Sequence, residues 1–291
     1  MLFGYLDLNW ASVIIPAIMP RPHLMPLSGG YRKTPIMQIG ANVYCDTAII
    51  CRRLAELAAD STLYQHGFAS ERVARWADTE LFRRVVALNF RPEAIAAQMS
   101  QMSAEEVAAF QADRAELSGG APMVSADPAA AEAQFTSDLA QLEALLNRQP
   151  YLFGDKPCIA DFSVYHCLWF VSGNPANAGL FAAWPQVRQY CQRMADFGHG
   201  QSSELSAEAA LQIGCESQPE YPGAVRQDAG LSSTIALGDG VVVSADDYGR
   251  NAINGTLVHW STDEIVLLRQ DSQAGEVMVH FPNQGFELMA G

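Results

Sequence analysis

Basic residues and long apolar runs are both scarce in this sequence. Lysine and arginine number 18 against 32 aspartates and glutamates, which gives a formal net charge of −14 at pH 7. Proteins that bind nucleic acid need a basic face for the phosphates, so this charge balance argues against such a partner. No apolar run approaches the roughly 20 residues that span a bilayer, and MLFGYLDLNW lacks the basic start of a signal peptide. We therefore expect a cytoplasmic protein without membrane contact.

Motifs for metals, nucleotides and disulfide exchange are also missing. The six cysteines are scattered without a C-x-x-C pair, which argues against a zinc ribbon and a redox dithiol. The histidines lack the spacing of metal ligands, and neither G-x-G-x-x-G nor a P-loop occurs. The sequence thus predicts no metal and no nucleotide. Apolar residues make up 49% of the chain, enough for two or three domains with hydrophobic cores.

Residues 31–57 carry the pattern that most suggests a ligand. Strands are predicted at 36–39 and 43–45, joined by a tight turn at 40–42. Asp46-Thr47 then marks the start of a helix. The proline at the entrance of the first strand and the helix N-terminus one hairpin later each offer backbone groups that can hold a small anion or a peptide.

Long helices are predicted after residue 60. A very apolar segment, 159–171, has no polar face and is expected to be buried in the middle of the bundle. A Gly/Pro/Ser loop is predicted at 118–127. The other predicted helices are amphipathic and lie at 70–90, 103–117, 127–148, 184–197 and 203–213.

From residue 232 the apolar period switches to two. The predicted strands lie at 241–243, 256–260, 264–269, 277–281 and 286–288. Five short strands in so short a segment predict a small closed or nearly closed β-barrel. The predicted domains are 1–60, an α/β layer; 61–214, all-helical; 215–231, a linker; and 232–291, the barrel.

Three local motifs in combination resemble the glutathione S-transferase family. Thr34-Pro35 is similar to the family's strand entrance with its cis-proline, and Asp46-Thr47 to its acidic-hydroxyl pair. The run YLFGDKPCIAD at 151–161 is similar to the signature before the family's buried helix. The resemblance covers roughly residues 1–200 and implies a thioredoxin-like α/β layer, missing its first strand, followed by an all-α bundle. It says nothing about 232–291.

The resemblance implies that glutathione binds as a co-substrate. A cis Thr34–Pro35 bond would turn the Thr34 backbone towards the cysteinyl part of glutathione, as an added strand would. Thr47 would bind the γ-glutamyl carboxylate and Asp46 its ammonium group, while Lys33 or Arg32, on charge alone, would face the glycyl carboxylate. Each residue also fits an ordinary role: a trans strand-start proline, a simple N-cap and a solvated surface lysine.

The resemblance also implies an activity, the addition of the glutathione thiolate to a small electrophilic or apolar substrate by a homodimer. The aromatic residues spaced to line a pocket for that substrate are Trp76, Phe82, Tyr165 and Trp169. Aromatic residues at such spacing are also typical of a plain core. The alternative function is a non-catalytic interaction module built on the same fold, with the terminal barrel as part of it.

The sequence departs from the family pattern in two places. The family's thiol-activating Tyr, Ser or Cys precedes the end of its first helix, and the sequence begins with a pattern typical of that helix end, so no residue here is assigned the role. We expect the natural protein to be longer; the alternative is a chain that only binds. Cys158 stands where the family has Ser or Thr in a capping box with Asp161. A reactive thiol and a buried one both fit, and we expect burial.

Overall fold

The computed structural model describes residues 1–119, 127–231 and 234–291. The helices in chain order are α1 (Leu2–Tyr5), α2 (Met25–Ser28), α3 (Thr47–Leu57), α4 (Gly67–Trp76), α5 (Phe82–Asn89), α6 (Pro92–Gln98), α7 (Ala104–Leu117), α8 (Pro128–Leu146), α9 (Ile159–Ser172), α10 (Pro185–Ala195) and α11 (Ala207–Glu216). The strands are β1 (Asn9–Ser12), β2 (Ile36–Ile39), β3 (Asn42–Cys45), β4 (Gln201–Glu204), β5 (Gly240–Ala245), β6 (Ile253–Trp260), β7 (Glu264–Asp271), β8 (Gly275–Pro282) and β9 (Phe286–Ala290). Most of the predicted loop and the start of the predicted barrel, 120–126 and 232–233, lie outside the described residues.

The chain forms two compact units, and neither is a single segment of the sequence. Within the described residues, the helical unit comprises 1–9, 54–108 and 127–201. The sheet unit comprises 10–53, 109–119, 202–231 and 234–291. Because α3 and α7 each pass from one unit to the other, the chain enters the sheet unit more than once. The domain boundaries inferred from the sequence stay a prediction.

The helical unit is built around α9. This helix packs against α4, α5 and α10, as its apolar sequence predicts. Its side chains Phe162, Leu168 and Val171 are buried, whereas Trp169 remains 56% exposed. A π-helical turn, Ala77–Leu81, joins α4 to α5 in one long helix where the sequence predicts a helix over 70–90.

The sheet unit contains one seven-stranded sheet in the order β2-β3-β8-β7-β6-β5-β9. The β3–β8 pair is parallel, with Tyr44 opposite His280, and the other pairs are antiparallel. The sheet is open, with β2 and β9 at its edges, so the prediction of a separate β-barrel is wrong. The strands after residue 239 instead continue the sheet of the hairpin at 36–45.

The physical reason for this extended sheet is a shared hydrophobic core. Val43 and Cys45 of the hairpin pack in one buried cluster with C-terminal residues such as Val243, Ile265 and Phe281. From Val277 onward every residue of β8 is buried, and both α2 and α11 pack against this strand. A strand buried on both faces reads as a continuous apolar run, which is typical of the interior of a covered sheet.

Candidate functional site

The first part of the candidate site is the entrance of β2. Thr34 and Pro35 are exposed, and the peptide bond between them is cis, as the resemblance implies. Within the described residues, the Thr34 backbone N–H and C=O make no hydrogen bond. Gly40 takes a positive φ of 57° in the tight turn that follows, and the hairpin pairs Ile39 with Asn42. The backbone of Thr34 is therefore open to a ligand.

The second part is the start of α3, one hairpin later in the same unit. Asp46 has a φ of 92°, and its Oδ1 accepts a hydrogen bond from the Ala48 N–H at 2.8 Å. Asp46 is thus an N-cap, as the ordinary interpretation of this residue states. A left-handed conformation costs a non-glycine residue about 1–3 kcal/mol and is concentrated at functional sites. Thr47 follows as the exposed first residue of α3.

Lys33 is neither solvated nor free. Its side chain is only 14% exposed, and its Nζ lies 2.6 Å from Oδ1 of Asp247. The same Nζ lies 4.7 Å from the ring centroid of Tyr248, and 5.9 Å from the centroids of Tyr31 and Phe286. The interpretation of Lys33 as an ordinary solvated lysine is therefore wrong, because its ammonium group is held among three rings and a carboxylate.

Arg32, the other basic candidate, holds the fold together. Its Nη2 donates to Oδ1 of buried Asp113 at 2.7 Å, and its Nη1 to Oε1 of Glu116 at 3.2 Å. The Arg32 C=O accepts a 2.7 Å hydrogen bond from Nη1 of Arg21. Because Arg32 is buried in this network, Lys33 is the more exposed of the two basic candidates.

Burial keeps the two tyrosine hydroxyls and the cysteine thiol near Lys33 and Asp46 uncharged. Burial raises the pKa of the Tyr31 hydroxyl, and the charge of Asp46 raises it further. The pKa of Tyr248 is raised by burial and then by Asp247 and Asp46. Both hydroxyls therefore stay protonated at neutral pH. Burial also raises the pKa of the Cys45 thiol, so this neighbour of Asp46 stays protonated at neutral pH.

The predicted capping box lies at the start of α9 in the helical unit. The carboxylate of Asp161 accepts from the Cys158 N–H at 2.9 Å, from the Leu152 N–H at 2.8 Å and from the Cys158 thiol at 3.4 Å. Burial, and then the charge of Asp161, raises the pKa of Cys158 to about 12. The expected burial of Cys158 is confirmed, and this burial disfavours the thiolate that a reactive cysteine needs.

The four predicted co-substrate residues form only a partial cluster. The Phe82 ring lies 6.4 Å from His166, which lies 6.3 Å from Trp169. Within the described helical unit, no ring contact joins Trp76 or Tyr165 to this cluster. The pocket itself stays a prediction.

Sequence reasoning did not connect the third part of the site, which comes from the C-terminal strands. Asp247 and Tyr248 lie in the turn between β5 and β6, more than two hundred positions after Lys33. The run Asp-Asp-Tyr-Gly at 246–249 predicts only a turn, and no local pattern predicts that this turn contacts Lys33.

A polar cluster centred on buried His280 lies beside the β3–β8 pair. Nδ1 of His280 donates to Oε1 of Glu264 at 2.7 Å, and Nε2 lies 2.9 Å from Oδ1 of Asn42. The Tyr221 hydroxyl donates to Oε2 of Glu264 at 2.9 Å, and the Tyr44 ring stacks on His280 at 4.3 Å. These contacts fasten the hairpin that carries the candidate site to the C-terminal strands.

Two further classes of feature do not occur in the part of the chain that the structure describes. Among residues 1–119, 127–231 and 234–291, no three His, Cys, Asp or Glu side chains are grouped so that they could hold a metal ion. No helix in these ranges is both long and apolar enough to cross a bilayer.

Comparison with known proteins identifies the family. The models of the glutathione S-transferase N-terminal and C-terminal domains match residues 1–62 and 94–193. The crystal structure of a GST-like protein from Pseudomonas syringae is 36% identical, with 100% of this chain and 93% of that chain covered and a TM-score of 0.81.

More distant similarities extend over part of the chain. A glutathione S-transferase from Rhodospirillum rubrum F11 is 16% identical, covering 66% of this chain and 79% of that one, with a TM-score of 0.45. Glutathione S-transferase III in its apo form is 21% identical, covering 67% and 83%, with a TM-score of 0.47. A search of curated proteins found none that matches. On the two domain matches and the Pseudomonas syringae structure, the chain belongs to the glutathione S-transferase family.

Proposed function

We propose that this protein binds glutathione at Thr34, Pro35, Lys33, Asp46 and Thr47 and transfers it to a small electrophilic substrate. The observation that carries the proposal is the pairing of two features in one unit. The unpaired backbone of Thr34 and the Asp46–Thr47 start of α3 are separated by a single tight hairpin. A peptide with an extended backbone and an anionic end fits these two features together.

The binding chemistry follows from the groups at each end of the hairpin. The Thr34 N–H and C=O pair with the backbone of the cysteinyl residue. Thr47 donates its hydroxyl hydrogen to the γ-glutamyl carboxylate, which the positive end of α3 also favours. Asp46 accepts from the γ-glutamyl ammonium in a charge-assisted hydrogen bond.

In the proposed reaction, the sulfur of the glutathione thiolate forms a bond to an electrophilic carbon. The leaving group departs with its electron pair or, in an addition, the product carbon takes up a proton. The residues assigned here bind and orient glutathione, and none of them is assigned to ionise its thiol.

Calorimetric titration of the full chain with glutathione tests the proposed binding site. Asp46→Asn keeps the capping oxygen and tolerates the positive φ, but removes the charge that receives the ammonium group. We expect it to weaken binding about tenfold, because one charge-assisted hydrogen bond is lost. Glu105→Ala, which removes an exposed carboxylate in α7, is the matched control and should leave binding unchanged.

An assay with a chloronitrobenzene electrophile separates the enzyme from the interaction module. Turnover by the wild type that falls in the Asp46→Asn and Thr47→Ala variants would support transfer at this site. Tight glutathione binding without turnover would support the alternative function, a non-catalytic interaction module. No binding by the wild-type chain would overturn the proposal. By family relation we also propose a cytoplasmic homodimer, and light scattering after size exclusion tests the dimer.

A further inference from the structure

The ammonium group of Lys33 is already paired with an internal carboxylate. Its Nζ is 2.6 Å from Oδ1 of Asp247, and within the described residues this is the hydrogen-bond acceptor that Nζ reaches. The lysine side chain is 14% exposed, whereas that of Asp247 is 52% exposed. The carboxylate is therefore the more exposed partner of this ion pair.

The turn that presents Asp247 is fixed at several points. The Asp246 N–H donates to the Gly285 C=O at 3.0 Å, and the Gly249 N–H to the Leu117 C=O at 2.9 Å. Gly249 has a φ of 62°, and a Cβ there would lie 3.0 Å from the Leu117 side chain. The position of Asp247 beside Lys33 is thus fixed by the turn.

Aromatic rings hold the ammonium group in place. Tyr248, on the same turn, lies under Nζ at 4.7 Å from its ring centroid, and Tyr31 and Phe286 lie at 5.9 Å. A partly buried ammonium group held by rings loses little side-chain freedom when it pairs with a carboxylate. A carboxylate arriving with a ligand therefore has to displace or share the one supplied by Asp247.

We infer that Asp247 is a specificity-determining residue of the proposed glutathione site. Its carboxylate competes with the glycyl carboxylate for Lys33. The site therefore favours thiol peptides whose C-terminal carboxylate is neutralised. The inference rests on the proposed function and deepens it. The substrate class it names is γ-glutamyl-cysteinyl peptides with an ester, an amide or a cationic group at the glycyl end. Like charges of the ligand carboxylate and Asp247 repel each other, and an uncharged end avoids this repulsion.

The test compares glutathione with its glycyl monoethyl ester by calorimetry on the full chain. We expect the wild type to bind the ester at least as tightly as glutathione. Asp247→Asn should tighten glutathione binding about tenfold, because Lys33 becomes available to the ligand carboxylate, and should change ester binding less than twofold. Asp246→Asn removes an exposed charge from the same turn without touching Lys33, and should leave the ratio of the two affinities unchanged.

A double-mutant cycle with Lys33→Met completes the test. The gain from Asp247→Asn should vanish in the Lys33→Met background, since no ammonium group is left to release. Equal effects of Asp247→Asn on both ligands, or a gain that survives Lys33→Met, would overturn the inference while leaving glutathione binding intact. Failure of both ligands to bind any variant would overturn the proposed function and the inference with it.

Discussion

Two carboxylates, Asp161 of the helical unit and Glu264 of the sheet unit, differ in how far along the chain their hydrogen-bond partners lie. Asp161 in the helical unit accepts from the backbone of Leu152 and Cys158, both within nine residues of it. Glu264 in the sheet unit accepts from side chains, the Tyr221 hydroxyl and the His280 ring, and His280 in turn reaches Asn42 from 238 positions away. One carboxylate organises a local turn, and the other fastens distant segments.

This difference determines how far the contacts of each carboxylate can be predicted from the sequence. The hydrogen bonds of Asp161 follow from the local spacing of a capping box, so a short motif is enough to predict them. The contacts of Glu264 and His280 depend on a strand register that pairs the beginning of the chain with its end. A sequence contains the residues of such a contact but no local pattern that joins them.

The largest expected contrast concerns thiol reactivity. Cys158 is fully buried with a pKa of about 12, while Cys215 of the sheet unit is exposed. At pH 8, iodoacetamide should alkylate Cys158 about a thousandfold more slowly than Cys215, because only the thiolate reacts. Peptide mass spectrometry over time measures both rates, and the difference should disappear in urea. Comparable rates in the native protein would show that the start of α9 opens readily.

Removal of the Asp161 carboxylate should give the largest loss of stability. Asp161→Ala leaves the N–H groups of Leu152 and Cys158 without an acceptor, and we expect a loss of about 3 kcal/mol in the free energy of unfolding. Asp161→Asn keeps one acceptor oxygen and should lose less. Thermal unfolding followed by circular dichroism measures both. The exposed Asp155→Ala is the control, and a loss no greater than in this variant would contradict the structural role.

The corresponding change in the sheet unit should cost somewhat less. His280→Phe preserves the stacked ring but removes the ring nitrogens that contact Oε1 of Glu264 and Oδ1 of Asn42, so we expect a loss of about 2 kcal/mol. Glu276→Gln alters an exposed residue of the same strand, and should fall within about 0.5 kcal/mol of the wild type. If His280→Phe loses no more stability than Glu276→Gln, the hairpin is held by its apolar core alone.

The smallest predicted effect is the contribution of a single buried thiol to the alkaline pH dependence of stability, about 1.4 kcal/mol per pH unit. Burial raises the pKa of Cys158 and of Cys191 to about 12, above the ordinary thiol value of 9.0. Between pH 9 and 11 the unfolded chain therefore loses thiol protons that the folded chain keeps, and stability falls by about 1.4 kcal/mol per pH unit for each thiol. Urea unfolding across this range measures the slope. Cys158→Ser should reduce the slope by the share of one thiol, and an unchanged slope would contradict the burial-raised pKa.

The candidate site likewise contains parts that neighbouring residues predict and a part that depends on contacts between distant segments. Thr34-Pro35 and Asp46-Thr47 belong to a hairpin and a helix start whose signals lie within a few residues, and the structure forms both. Asp247 could not be assigned because its contact with Lys33 depends on the complete sheet. The barrel prediction failed for a related reason. The period of the C-terminal strands indicates a sheet, but it does not reveal that the first neighbour of this sheet is β3.

The parallel pairing of β3 with β8 also has a consequence for the order of folding during synthesis. Every described segment of the helical unit, up to residue 201, leaves the ribosome before β8 has been made. The sheet unit contains the candidate glutathione site and cannot complete its sheet until the last strands emerge, so we expect the helical unit to fold first. Until then the edge of β3 is open to wrong partners. Proteolysis of stalled nascent chains should show a protected helical unit together with a cleavable hairpin, and a hairpin protected before β8 is translated would reverse this order.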